Sequence, residues 1–529
     1  MIDNFFATVS PKRTGQLKRA RQFSILALIV ALILTACSSP AAFRTDSGQD
    51  IVQWGVSGDP PGNWDPVVTG ATSATHMMTP IYEPLLNLDE DGNPAPGLVE
   101  SWEYNDEGTA VTFTLREGLT FHDGSSVNAE AAKSYIDRAI EQPNSALTGS
   151  YNNIDNVVAD DELNFTVHLK SVDYQIPYPF AIRAGLLTSQ EAVEEDPEEF
   201  NATNPVGAGP FKVVELEPES KIVLEKFDDY WNADEIYIDR IEIDFGIDEN
   251  SIVPAAQAGI YNFITMRDSA SVDSAERAGL NLVEDISQNW YVGFLSINNN
   301  IEPFNDPKVI EAIRHAVNSE EIVERALLGE GEAIRQPLPP GHMLYNESLE
   351  DEYPYDPAAA RKLLEEAGYP DGFDVVLESS PNVTDAVNEQ LQAQLRNIGI
   401  NLTINKDPNW DPKYFGKEIA LSTYMYVGRN SHAQTLTEHY DEGGVLNLSS
   451  PYSSPEFQDA IDELRATPVD NPEYQDVAQK AAEEGYKNGT TVPLYSEPVH
   501  FARTDEVSGN FQNREGFLNW TGVTIDYDN

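Results

Sequence analysis

The 529-residue sequence predicts an α/β protein built in more than one lobe, and three observations carry that expectation. Short β-branched runs alternate with capped amphipathic helical segments from about residue 50 onward, without a fixed-period repeat. The length is about three times that of a typical single domain. A 40% hydrophobic and 10% aromatic content is enough to bury sizeable cores, which argues against wholesale disorder.

At the N-terminus, Lys12, Arg13, Lys18, Arg19 and Arg21 form a basic stretch ahead of the apolar run Phe23 to Ala36. The run is shorter than a spanning helix and has a secretion signal's flanks. It ends in Leu34-Thr35-Ala36-Cys37, similar to the lipobox of bacterial lipoproteins, which makes Cys37 the candidate site of lipidation. The competing reading is an ordinary signal peptide followed by a chance cysteine. Acyl chains on Cys37 would hold the chain at a membrane surface. Residues 38–50 are small, polar and aperiodic, as a tether would be. The expected order is therefore a signal over 1–36, a lipidated cysteine and tether over 37–50, and a folded region over 51–529, outside the cytoplasm.

Within the folded region, period-two or continuous β-branched patterns predict strands at 111–116, 164–169, 238–245, 373–377 and 398–404. Asp306-Pro307 opens a helix with Val309, Ile310, Ile313 and Val317 on one face. Asp356-Pro357 opens another with Ala360, Leu363, Leu364 and Ala367 on one face, stopped by Gly368. Gly207-Ala208-Gly209 begins like a dinucleotide fingerprint, but Lys212 stands at the third glycine position and Pro210 intervenes. It reads as a tight turn into a strand over 211–216.

Charge and composition narrow the function. The 33 basic and 88 acidic residues give −55, and without residues 1–36 the balance falls to −59. Such a field repels nucleic acid and anionic lipid head groups, and is the ordinary solvation of an exported surface. One cysteine excludes an internal disulfide and a cysteine-based zinc site. No Gly-x-Ser-x-Gly, His-Glu-x-x-His or P-loop motif occurs, so the sequence predicts no enzyme, catalytic residue, cofactor or resident metal. His432 and His439, seven apart with Glu438 and Asp441 nearby, could hold a metal; solvated surface histidines are the preferred reading. Trp54, Trp64, the pair Trp290-Tyr291, Tyr424, Tyr426 and Trp520 sit in turn-like contexts, either as walls of a ligand cleft or as caps on a core.

Several longer runs carry a family resemblance. Tyr82 to Leu86 (YEPLL), Gly97 to Trp102 (GLVESW), Thr112 to Arg138, Asn204 to Phe211 (NPVGAGPF) with Tyr230-Trp231, Asp306 to Asn318 and Tyr355 to Pro370 occur in this order. Together they resemble the family 5 extracytoplasmic solute-binding proteins, the peptide, nickel and opine receptors of ABC importers. The resemblance implies two α/β lobes hinged around a ligand cleft, the periplasmic-binding-protein-like type II arrangement, with an extra subdomain inserted in the first lobe. Carried onto this chain, lobe I spans about 51–81, 205–290 and 495–529, the insert about 82–204, and lobe II about 291–494. The implied role is capture of an extracellular solute, by default a short peptide, and its delivery to the transmembrane permease subunits of an importer. A sugar, an opine-like acid, a metal chelate, and a sensor or adhesin role remain alternatives.

The family's peptide binders place an aspartate against the peptide ammonium, after an aromatic and two small or polar residues. The matching stretch here is Tyr426-Val427-Gly428-Arg429, with arginine in the acid's place and no acid from Leu421 to Thr437. An arginine there suits a carboxylate or phosphate through its planar fork; the alternative is that it turns outward or neutralises a neighbouring acid. By matching position, the candidate ligand-binding residues are Trp64, Trp290, Tyr426, Arg429, Asn430 and His432.

Overall fold

The computed structural model describes residues 48–527, apart from 59, 70–71, 90–91, 268, 284–290, 381–382, 408–409, 428–430, 498–499 and 512–517. The signal sequence, Cys37, Trp290, Arg429 and Asn430 lie outside the described residues. Among those described, no helix is long and apolar enough to cross a membrane.

Three sheets organise the chain. The first has seven strands, in the spatial order Asn281–Leu282, His500–Arg503, Phe263–Met266, Ile51–Val56, Arg240–Asp244, Lys221–Lys226 and Phe211–Glu217. Its central strand Ile51–Val56 pairs in parallel with both neighbours and is almost continuously buried, as expected of a strand covered on both faces. The second has six strands, in the order Glu332–Ala333, Thr491–Glu497, Tyr291–Ile297, Leu421–Val427, Phe373–Ser379 and Ile400–Asn405. The third is a four-stranded antiparallel sheet, Val99–Tyr104, Ala110–Leu115, Asn164–Leu169 and Ile154–Ala159. In Ala110–Leu115, Val111, Phe113 and Leu115 face inward, while Thr112 meets Thr166 hydroxyl to hydroxyl at 2.8 Å on the other face.

These strands match the sequence patterns to within a few residues. Both expected helices form, over Pro307–Ala316 and Pro357–Glu366. Each is opened by an aspartate whose carboxylate accepts from the first-turn amides, and Gly368 (φ +92°) lies two residues beyond the end of the second.

The chain passes between the two large sheets twice, from Leu282 to Tyr291 and from Glu497 to His500. Two adjacent crossings are the connection about which rigid lobes hinge. One continuous core runs from Trp54 and Ile243 in the seven-stranded sheet to Phe113 and Phe165 in the four-stranded sheet, so the two form one packed body. The six-stranded sheet has a core on each face, Leu295 and Leu377 on one side, Phe294, Trp410 and Tyr426 on the other.

Candidate functional site between the lobes

The site is built where the second body meets the first. Strand Leu421–Val427 leads through residues 428–430 into helix His432–Tyr440, whose N-cap Ser431 accepts from the Gln434 amide at 3.1 Å. This helix is buried along nearly its whole length because both bodies cover it. Gln434 Nε2 donates across the divide to Ser150 Oγ (3.0 Å) and within the helix to Glu438 Oε1 (2.8 Å). Gln175 Nε2 donates to the Tyr474 hydroxyl (2.9 Å), which stands 2.7 Å from His432 Nδ1. Burial lowers the His432 pKa to about 4, so the ring is neutral near pH 7; Gln175 donates to the Tyr474 hydroxyl, and which partner donates between that hydroxyl and Nδ1 is set by the His432 tautomer. Beside this chain, Arg465 offers its carbonyl to the Tyr174 amide (2.9 Å) and its guanidinium to Asp173 (3.8 Å). Near the crossings, His76 Nε2 lies 3.3 Å from the Tyr291 hydroxyl, and burial lowers the His76 pKa to about 3.

The residues singled out in the sequence fall in different places. His432 belongs to the polar chain across the divide. Tyr426, 3% exposed, sets its ring 4.5 Å from His439, edge to face. Trp64, also 3% exposed, packs on Phe245, and its carbonyl accepts from the Tyr82 hydroxyl at 2.8 Å, which places it in the core. Trp54 and Trp520 join Phe263, Phe501 and Phe511 in an aromatic cluster under the seven-stranded sheet. The preference for solvated histidines at 432 and 439 is corrected: they are 9% and 4% exposed, because their helix lies between the bodies. Among the described residues, no group of three His, Cys, Asp or Glu is disposed to hold a metal. Gln175, Tyr474, His76 and Ser150 were not singled out. They sit in unremarkable local sequence and meet only through contacts up to 299 residues apart.

The motifs shared with the family turn out to hold the frame. Glu83 of YEPLL accepts from the Tyr230 hydroxyl (3.1 Å) and the Trp231 indole (3.3 Å). His122 Nε2 donates to the Gly209 carbonyl (2.9 Å), and its amide donates to the Gly207 carbonyl (2.9 Å). A Cβ on Gly207 would stand 2.2 Å from the Ile81 carbonyl oxygen, so the expected tight turn is also a close approach between two chain segments. Arg138 grips the buried Asp65 with both terminal nitrogens, at 2.6 and 3.1 Å. Arg314 donates to the carbonyls of Tyr486 and Gly489 (2.9 Å each) at the C-terminal end of helix Tyr474–Asn488.

Comparison with known proteins agrees with this architecture. The profile of the bacterial extracellular solute-binding proteins, family 5 middle region, matches residues 93–445. The glutathione-binding protein GsiB of Salmonella typhi is 32% identical over 377 residues, covering 70% of this chain and 72% of that protein. Among solved structures, the binding protein AgaA of A. tumefaciens R10 in complex with agropinic acid superposes with a TM-score of 0.79 at 26% identity, covering 90% of this chain and 99% of that one. DppA of Helicobacter pylori with the peptide STSA also reaches 0.79, at 21% identity and with 90% and 98% covered. The two-lobed frame and these matches place the chain in the family 5 bacterial extracellular solute-binding proteins.

Proposed function

We propose that this protein is the lipid-anchored substrate receptor of an ABC importer, closing its two lobes on one small solute and presenting it to the transmembrane permease. The observation that carries this reading is the double crossing between two rigid sheets, with polar side chains meeting across the divide. Contacts from both lobes favour the closed state, and a ligand that adds to them drives closure. The anchor is Cys37, freed by removal of residues 1–36. The lobes divide as the sheets do, with lobe I drawn from about 51–81, 205–290 and the chain beyond 497, the insert from about 82–204, and lobe II from about 291–497. The last boundary is moved from the expected 494, a shift supported by strand Thr491–Glu497 pairing within the six-stranded sheet.

The ligand is a short peptide or a peptide-like acid. Glutathione-binding relatives and the agropinic-acid neighbour favour a solute carrying carboxylates, and Arg429 supplies a carboxylate partner where the family's peptide receptors place an acid. Trp290, Tyr426, Asn430 and His432 are the further ligand-binding residues of this proposal. Titration of the mature chain with glutathione, di- and tripeptides and opine acids tests the reading. A carboxylate-bearing ligand binds one to one and loses affinity in Arg429→Glu; unchanged affinity in that variant sinks the assignment of Arg429.

A further inference from the structure

A cavity of about 290 Å³ opens where residues 79–89, 230–232 and 518–521 converge, at the root of the inserted segment. It belongs to the first body alone and shares no lining residue with the polar contacts between the lobes. Its volume is at the lower edge of ordinary small-molecule sites.

The lining has a definite chemistry. Glu83 is buried yet borders the cavity, with its two oxygens on the Tyr230 hydroxyl and the Trp231 indole. Asp89 is a second acid on the wall, and among the described residues no lysine, arginine or histidine lines the cavity. Arg116 stacks 4.4 Å from the Trp231 ring centroid and gives its Nε to the Gly97 carbonyl at 2.7 Å; its charge acts on Glu83, but it does not line the cavity. A buried carboxylate facing a cavity without a cation leaves room for a positive ligand, and aromatic rings beside it add to that attraction. Burial raises the Glu83 pKa to about 7, outweighing the hydrogen bonds from Tyr230, Trp231 and Asn87 and the charge of Arg116. On the same wall, Trp520 is 2% exposed and its indole Nε1 has no hydrogen-bond partner. Buried donors normally find acceptors, so this N–H is available to one carried by a ligand.

We propose that this cavity is a second ligand site, taking an amino-acid-sized amine whose ammonium pairs with Glu83 and whose hydrogen-bond acceptor meets the Trp520 indole. The inference rests on the cavity and stands apart from the solute site between the lobes.

Calorimetric titration of the mature chain with glycinamide, methylamine and acetamide tests it, repeated on Glu83→Gln and Trp520→Phe. Glycinamide, with both groups, is expected to bind one to one and more tightly than methylamine, and acetamide not to bind. Glu83→Gln is expected to weaken glycinamide at least about tenfold, the loss of a charge-assisted contact, while leaving the solute between the lobes unaffected. Trp520→Phe gives a second reading should Glu83→Gln fail to fold: it is expected to weaken glycinamide several-fold and leave methylamine unchanged. Absence of glycinamide binding to the wild-type chain overturns the proposal, as does binding that survives Glu83→Gln, and so does equal binding of acetamide.

Discussion

Replacing Tyr474 with Phe removes one hydroxyl and tests whether contacts across the divide hold the closed state. In the structure that hydroxyl accepts from Gln175 Nε2 at 2.9 Å and lies 2.7 Å from His432 Nδ1. The ring stays useful, since Tyr474 is buried in the core of the second body and phenylalanine keeps that packing. In the closed state the variant strands the Gln175 amide and the His432 nitrogen away from water. When the lobes part, water reaches both. An unsatisfied buried partner costs about 1–3 kcal/mol, so the closed state loses about 2 kcal/mol relative to the open one. If ligand binds the closed state, the apparent affinity falls by about thirtyfold, because each 1.4 kcal/mol is tenfold. Gln175→Leu is expected to cost a similar amount, and the double variant less than the sum, since both changes break the same contact. Calorimetry with any bound solute measures the loss, and small-angle scattering of the ligand-free variants should show a larger radius of gyration. Wild-type affinity in Tyr474→Phe, with scattering unchanged, would refute the idea that this hydroxyl latches the insert to the second lobe.

Other consequences concern stability. Asp65→Ala leaves the partly buried Arg138 guanidinium without its bidentate partner, with only Thr188 still bonded to it, and is expected to lower unfolding free energy by about 2–3 kcal/mol in denaturant titrations. Gly207→Ala places a methyl against the Ile81 carbonyl; the segments must move apart, and a loss above about 3 kcal/mol is expected, with reduced soluble yield as the first sign. Glu83 is raised from 4.5 to about 7, so the unfolded chain holds fewer protons than the folded one between those values and stability falls as pH rises through that window. The shift corresponds to on the order of 3 kcal/mol, and Glu83→Gln should flatten the decline measured between pH 5 and 8. His432 and His76 act with the opposite sign. Their pKa values are lowered to about 4 and about 3, so stability is full above about pH 6.5 and drains as pH falls through those values.

How far the sequence could be read follows from which interactions are local. Alternation in 110–115 and 164–169, and the Asp-Pro openings at 306 and 356, encode their elements within a few residues, so those elements were legible. The family runs were legible as signatures, but their chemistry was not. Glu83, His122, Gly207, Arg138 and Arg314 lie in those runs and act by tying distant segments together. For Trp54, Trp64 and Trp520 the sequence left cleft wall and core cap both open, since turn-like surroundings do not show which side of a strand a ring faces. Helix His432–Tyr440 looks amphipathic enough for a surface, yet it is enclosed because a second body covers the face that solvent would otherwise meet. Gln175 and Tyr474 could not be paired from sequence, because nothing local fixes which of many polar residues meet after two crossings between sheets.

Native mass spectrometry of the mature chain, mixed with glutathione, di- and tripeptides and opine acids, tests capture of a solute between the lobes most directly. The expected result is a single one-to-one complex with one class of ligand, weakened in both Tyr474→Phe and Arg429→Glu. Absence of a complex with every member of the panel, from protein first stripped of any bound molecule by unfolding and refolding, would contradict it.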